Sequence, residues 1–182
     1  MKKIIFSLII LSALFSCNRN SEVKFTKENL LDSINAKETE LKKLEVLMPN
    51  NTMGFEMIKL YKQFADSFPN EKSAPGYLFQ AANVSIGVAQ YAQAISFLER
   101  IQSHFPEYEK SAEALFLMAF IYDNHLNQKG RASEVYEQVI EKYPQHKFAA
   151  EAKEVIKTLS MSDEELIKMF KEKEKETAAP EN

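Results

Sequence analysis

The residues that could do chemistry in this chain are few: three histidines, one cysteine, four glycines and scattered acid pairs. A metal site wants histidines, thiolates or carboxylates at helical or loop spacing, such as an i,i+4 pair. His104, His125 and His146 are evenly but widely spaced, and the single thiol, Cys17, lies far from all of them in the chain. They read as surface histidines, His104 in the last turn of a helix, where the dipole favours a cation. Gly54, Gly76, Gly87 and Gly130 are too dispersed to cradle a phosphate. Glu38 with Glu40, and Glu164 with Glu165, fall on predicted solvated helix faces, without the apolar surroundings that raise a carboxyl pKa for acid catalysis. The expectation is therefore no enzyme: no catalytic residue, no metal, no cofactor and no small-molecule substrate.

Cys17 has a different explanation. A lone cysteine forms no intramolecular disulfide, and this one follows Lys2-Lys3 and an apolar run from Ile4 to Phe15. That run is too short to span a bilayer, which takes about 20 apolar residues, and its basic start fits a secretory signal peptide. Leu14-Phe15-Ser16-Cys17 resembles the bacterial lipobox, with Phe15 bulkier than the small residue usual at its place. The resemblance implies a signal peptide over residues 1–16, cleavage before Cys17 and lipid attachment to it, with a plain signal peptide or an uncleaved anchor as alternatives. Residues 17–24 then form a tether. Asn18 is not the aspartate that retains such proteins in the inner membrane of enteric bacteria. The implied location is the outer membrane of a Gram-negative bacterium, facing the periplasm, with surface display second. Removing Lys2 and Lys3 takes the 23 basic residues to 21 against 26 acidic, a net charge of about −5. That balance lacks the basic stripe needed to neutralise phosphates, so no nucleic acid is expected.

The rest of the chain repeats itself. Leu98, Ile101, Phe105-Pro106 and Lys110-Ser111-Ala112 recur as Tyr61, Phe64, Phe68-Pro69 and Lys72-Ser73-Ala74, and again as Tyr136, Val139, Tyr143-Pro144 and Lys147-Phe148-Ala149. Pro69, Pro106 and Pro144 thus recur at an almost constant interval, the length of one helical hairpin. A period of that size, closing each time on an aromatic and a proline, signals a stacked helical array. With 45% hydrophobic and 27% charged residues and no alternating strand pattern, the chain is expected to be all-α.

In order, Thr26 is placed to cap a first helix, with Phe25 and Leu30 as its staple. Leu30, Ile34, Leu41, Leu44 and Met48 form a stripe, interrupted by Lys37, that either packs on the following repeat or self-associates as a short coiled coil. Pro49-Asn50-Asn51-Thr52 is expected to stop that helix. Helices follow from about Met53 to Phe68, Ala74 to Val88, Tyr91 to His104, Ser111 to His125 and Arg131 to Tyr143. Ala149, Ala152, Val155 and Ile156 suggest a closing helix, Ser162-Asp163-Glu164-Glu165 is a capping box opening one more, and the chain beyond Lys171 should fray.

These helices carry residues that resemble the tetratricopeptide repeat: Leu115, Met118, Ala119 and Tyr122, then Ala132, Tyr136, Val139 and Pro144. The middle unit has Tyr77, Gln80, Ala81 and Val84, then Ala94, Leu98, Ile101 and Pro106, with Gln80 where an apolar residue is usual. The first unit is half degenerate. The resemblance implies a short α-solenoid of about three stacked hairpins over residues 25–158, with N- and C-terminal capping helices, and a C-terminal helix and tail over 159–182. It also implies a partner groove on the first helices, at Leu78, Ala82 and Ser85 and at Phe116, Phe120 and Asp123. Phe116 and Phe120, on one helical face, either anchor an apolar segment of a protein partner or lie beneath a folded-back C-terminal helix through Leu166 and Phe170. Lipobox and repeats together resemble envelope lipoproteins of the BamD type and the Tol-Pal-associated periplasmic tetratricopeptide protein. The function so implied is an envelope protein-binding scaffold, in outer-membrane assembly or maintenance; the alternative is a structural oligomer built through the N-terminal helix.

Overall fold

Local chemistry marks the starts of the first and last described helices and the turns between hairpins. The computed structural model describes residues 26–43 and 51–177. The signal peptide, Cys17, the tether, Phe25 of the staple, and Leu44, Met48 and Pro49 lie outside the described residues. Eight helices are described: α1 (Lys27–Lys43), α2 (Asn51–Ser67), α3 (Ala74–Gly87), α4 (Tyr91–His104), α5 (Ser111–Asn124), α6 (Lys129–Lys142), α7 (Lys147–Leu159) and α8 (Asp163–Thr177). Thr26 Oγ1 accepts from Asn29 N at 3.2 Å, capping α1. Ser162 and Glu165 form the reciprocal box, with Ser162 N donating to Glu165 Oε2 at 2.8 Å and Glu165 N to Ser162 Oγ at 3.3 Å. The bond from the Ser162 backbone holds the Glu165 carboxyl below its ordinary range. Two boundaries differ from expectation. Asn51 and Thr52 open α2 instead of continuing a turn, and α8 runs on to Thr177, beyond Lys171.

The aromatic-proline turns between hairpins are built alike. Glu71 N donates to Phe68 O and Ala74 N to Glu71 O; Tyr108 to Phe105 and Ser111 to Tyr108 repeat the pattern, as do His146 to Tyr143 and Ala149 to His146. The packed helix pairs are chain neighbours, from α1 on α2 through α6 on α7, and α5 also meets α7. This is an all-helical solenoid whose core runs along the chain, from Leu30 and Ile34 to Ala152. Small residues sit at the crossings, among them Ala81, Ala94, Ala119 and Ala132, all fully buried, and aromatics fill between them. Tyr136 is core, as its place in the repeat predicts.

Within α1 the described part of the apolar stripe packs on the protein's own core, Leu30 and Ile34 fully buried and Leu41 partly so, and it is not an open face for self-association. Lys37, the interruption in the stripe, reaches Glu56 of α2 at 2.8 Å and Glu40 at 3.0 Å. Glu38 is not merely solvated: it accepts from the Tyr61 hydroxyl at 2.9 Å and fastens α1 to α2.

Candidate functional site

Where the repeat gains its extra residue decides which side chains face outward. The first helices, α3 and α5, begin at Ala74 and Ser111; the second helices, α4 and α6, begin at Tyr91 and Lys129, an interval longer by one. The additional residue therefore belongs to the α5–α6 connection. Backbone bonds show it directly, since Gln90 N donates to Ser85 O at 2.7 Å and Gln128 N to Tyr122 O at 2.7 Å. Gln128 reaches back one position further than Gln90 does.

This overturns half of the expected groove. Leu78, Ala82 and Ser85 are fully buried, at 0% exposure, and correspond to Leu115, Ala119 and Tyr122 of α5. They pack the core and offer a partner no surface; the Ser85 hydroxyl donates internally to Ala81 O at 2.7 Å. The α3 residues equivalent to Phe116, Phe120 and Asp123 are Phe79, Asn83 and Ile86. The poor fit at Gln80 disappears as well, because Gln80 is exposed and matches Leu117, while buried Ala81 matches Met118.

On α5 the three expected residues behave differently from one another. Phe116 is half-buried, edge-on to Tyr136 at 5.2 Å between centroids and stacked on Phe148 of α7 at 4.8 Å. The cover over Phe116 is thus α7, not the C-terminal helix; α8 shares no packed face with α5, and its Ile167 and Phe170 are 54% and 61% exposed. Phe120 is 38% exposed. The His125 ring stands edge-on to it at 5.7 Å and stacks on Tyr91 of α4 at 4.4 Å. Asp123 is half-buried. Burial, with the Asp123 charge as a second cause, pushes the Tyr136 hydroxyl up to about 12.

Several residues of this surface are not legible from the repeat alone. His146 is more than a surface histidine: its Nδ1 accepts from Phe148 N at 3.3 Å and caps α7, and its ring stacks on Phe148 at 5.2 Å. Histidine is not among the favoured capping residues, so its sequence gives no warning. At the start of α3 a shallow cavity of about 340 Å³ gathers Glu38, Lys72, Gly76, Phe79, Gln80, Tyr108 and Lys110. Lys110 Nζ lies 5.1 Å from the centre of the Phe79 ring. The recurring lysine of Lys72, Lys110 and Lys147 is the one sequence signal for this edge. A second depression, about 580 Å³, runs along α2, and all of its charged side chains but Lys59 pair within the protein. Lys37 pairs there with Glu56, and Asp66 with Lys62 and Arg100 at 2.5 and 2.8 Å. Among the described residues no group of three or more His, Cys, Asp or Glu is placed to hold a metal. No described helix is long and apolar enough to cross a membrane.

What the arrangement can do is bind: stacked hairpins present first helices whose outward strip is aromatic and partly open. Residues 113–146, from the first turn of α5 through α6 to the cap of α7, match the tetratricopeptide repeat family. The match supports a tetratricopeptide-repeat protein and, with it, a scaffold for protein–protein interaction. Among curated proteins none matches the chain.

Proposed function

We propose that this protein is a lipid-anchored, periplasm-facing scaffold of a Gram-negative outer membrane that holds a protein partner and serves outer-membrane assembly or maintenance. It works by binding, not by catalysis. The observation that carries the binding role is Phe120, an open aromatic ring on the outward strip of the helix where the repeat match begins. A partly open ring set beside other aromatic side chains suits a contact with a partner. The anchor and the location rest on the basic start, the short apolar run and the lone Cys17.

Two experiments test this. Affinity capture from envelope extract, comparing wild type with a folded Phe120→Glu variant, should lose a partner in the variant; equal capture by both would move the working surface elsewhere. For the anchor, Cys17→Ala should shift the protein out of the membrane fraction. A variant that stays there refutes lipidation.

A further inference from the structure

We infer that the partner segment held at Phe120 is basic, and that it places an arginine or lysine over the Phe120 ring against Asp123. This rests on the scaffold reading and names the chemistry of what is bound. Three cation–ring contacts exist among the described residues, each made by a cation of the chain itself: Lys110 over Phe79 at 5.1 Å, Arg131 over Tyr122 at 5.8 Å and Lys147 over Phe148 at 4.8 Å. On the outward strip of the stack, Phe79 is thus served by Lys110, and Phe116 is covered by Phe148 beneath Lys147. Phe120 is the next rung, and among the described residues no cation lies on it.

One carboxylate follows it closely on the strip. Asp123 lies less than one turn further along the same strip, and Glu113 about two turns before Phe120. Among the described residues neither carboxylate has an ion-pair partner; Asp123 receives one long bond, 3.4 Å, from its neighbour Asn124. The His125 ring, itself stacked on Tyr91, stands on one side. An open aromatic face with the His125 ring on one side and an unpaired carboxylate within a turn suits an ammonium or guanidinium, which gains from the ring quadrupole and the carboxylate together. An acidic or purely apolar segment would leave Asp123 uncompensated. The equivalent α3 strip, Gly76, Phe79, Asn83 and Ile86, carries no acid, so the feature belongs to α5 and not to the repeat in general.

The test uses the full chain in detergent and three fluorescein-labelled peptides with one leucine pattern, bearing arginine, glutamine or glutamate at the polar positions, read by anisotropy. The arginine peptide should bind at least about tenfold more tightly than the glutamate peptide and weaken with salt. Asp123→Asn and Phe120→Ser should each cost it about five- to tenfold, with unchanged helical circular dichroism. If all three peptides bind alike and Phe120→Ser weakens all three, the scaffold reading stands and the basic partner is refuted. Arginine-peptide binding indifferent to both substitutions, or absent altogether, also refutes it.

Discussion

α3 and α5 are the same helix twice over, 14 residues each in the same register, yet the outward strip of one has no acid and a buried phenylalanine, while that of the other carries two acids and one open phenylalanine. On α3 the strip is Gly76, Phe79, Asn83 and Ile86, with Phe79 only 5% exposed. On α5 it is Glu113, Phe116, Phe120 and Asp123. Their inward faces share a buried pair, Leu78 with Ala82 on one and Leu115 with Ala119 on the other. The repeat thus fixes the inner face by packing and leaves the outer one free to vary, and function resides in that freedom.

The comparison breaks first at the core. Tyr136→Ala, which removes the ring under Phe116, should cost about 3 to 5 kcal/mol; a melting temperature within a degree or two of wild type would remove Tyr136 from the core. Leu78→Ala and Leu115→Ala should each cost about 2 to 5 kcal/mol and by similar amounts. A near-neutral Leu78→Ala in urea denaturation would restore the groove position that the register has taken away.

High pH sharpens the same contrast. The Tyr136 hydroxyl is raised from its ordinary value near 10 to about 12 by burial and then by Asp123. Its contribution is complete below pH 10, where the unfolded chain is also neutral. As pH rises from about 10 towards 12 the unfolded tyrosine ionises first, and the stability is lost. Urea midpoints measured between pH 8 and 11 should fall, and less steeply in Tyr136→Phe. Tyr61, raised by burial and by Glu38, adds the same sign, so the slope should shrink without vanishing.

The smallest effect separates the two connections. Ala89 and Asn127 hold φ of 58° and 50°, the left-handed region that costs an alanine about 1 kcal/mol or more and that asparagine visits more readily. Ala89→Gly should therefore stabilise by about 0.5 to 1 kcal/mol and Asn127→Gly by less. Equal gains would mean that the two turns are not under the same constraint.

Much of this was legible in the residues because the signals are local. The Ser162 to Glu165 box, the Thr26 cap, the aromatic-proline turns and the helices from Ala74 to His104 all follow from chemistry within a few positions, which periodicity and capping rules read well. Tertiary structure alone decided which side of α3 faces out. A residue inserted into a turn is invisible to helical periodicity, yet one position along a helix rotates a side chain by about 100°. That rotation carries Leu78, Ala82 and Ser85 from an imagined groove into the core. Tertiary structure also chose the cover over Phe116, because Phe148, two helices further along the chain, meets it only once α5 and α7 are stacked. Sequence determined the ladder, through contacts between neighbours; packing across helices decided which rungs are open.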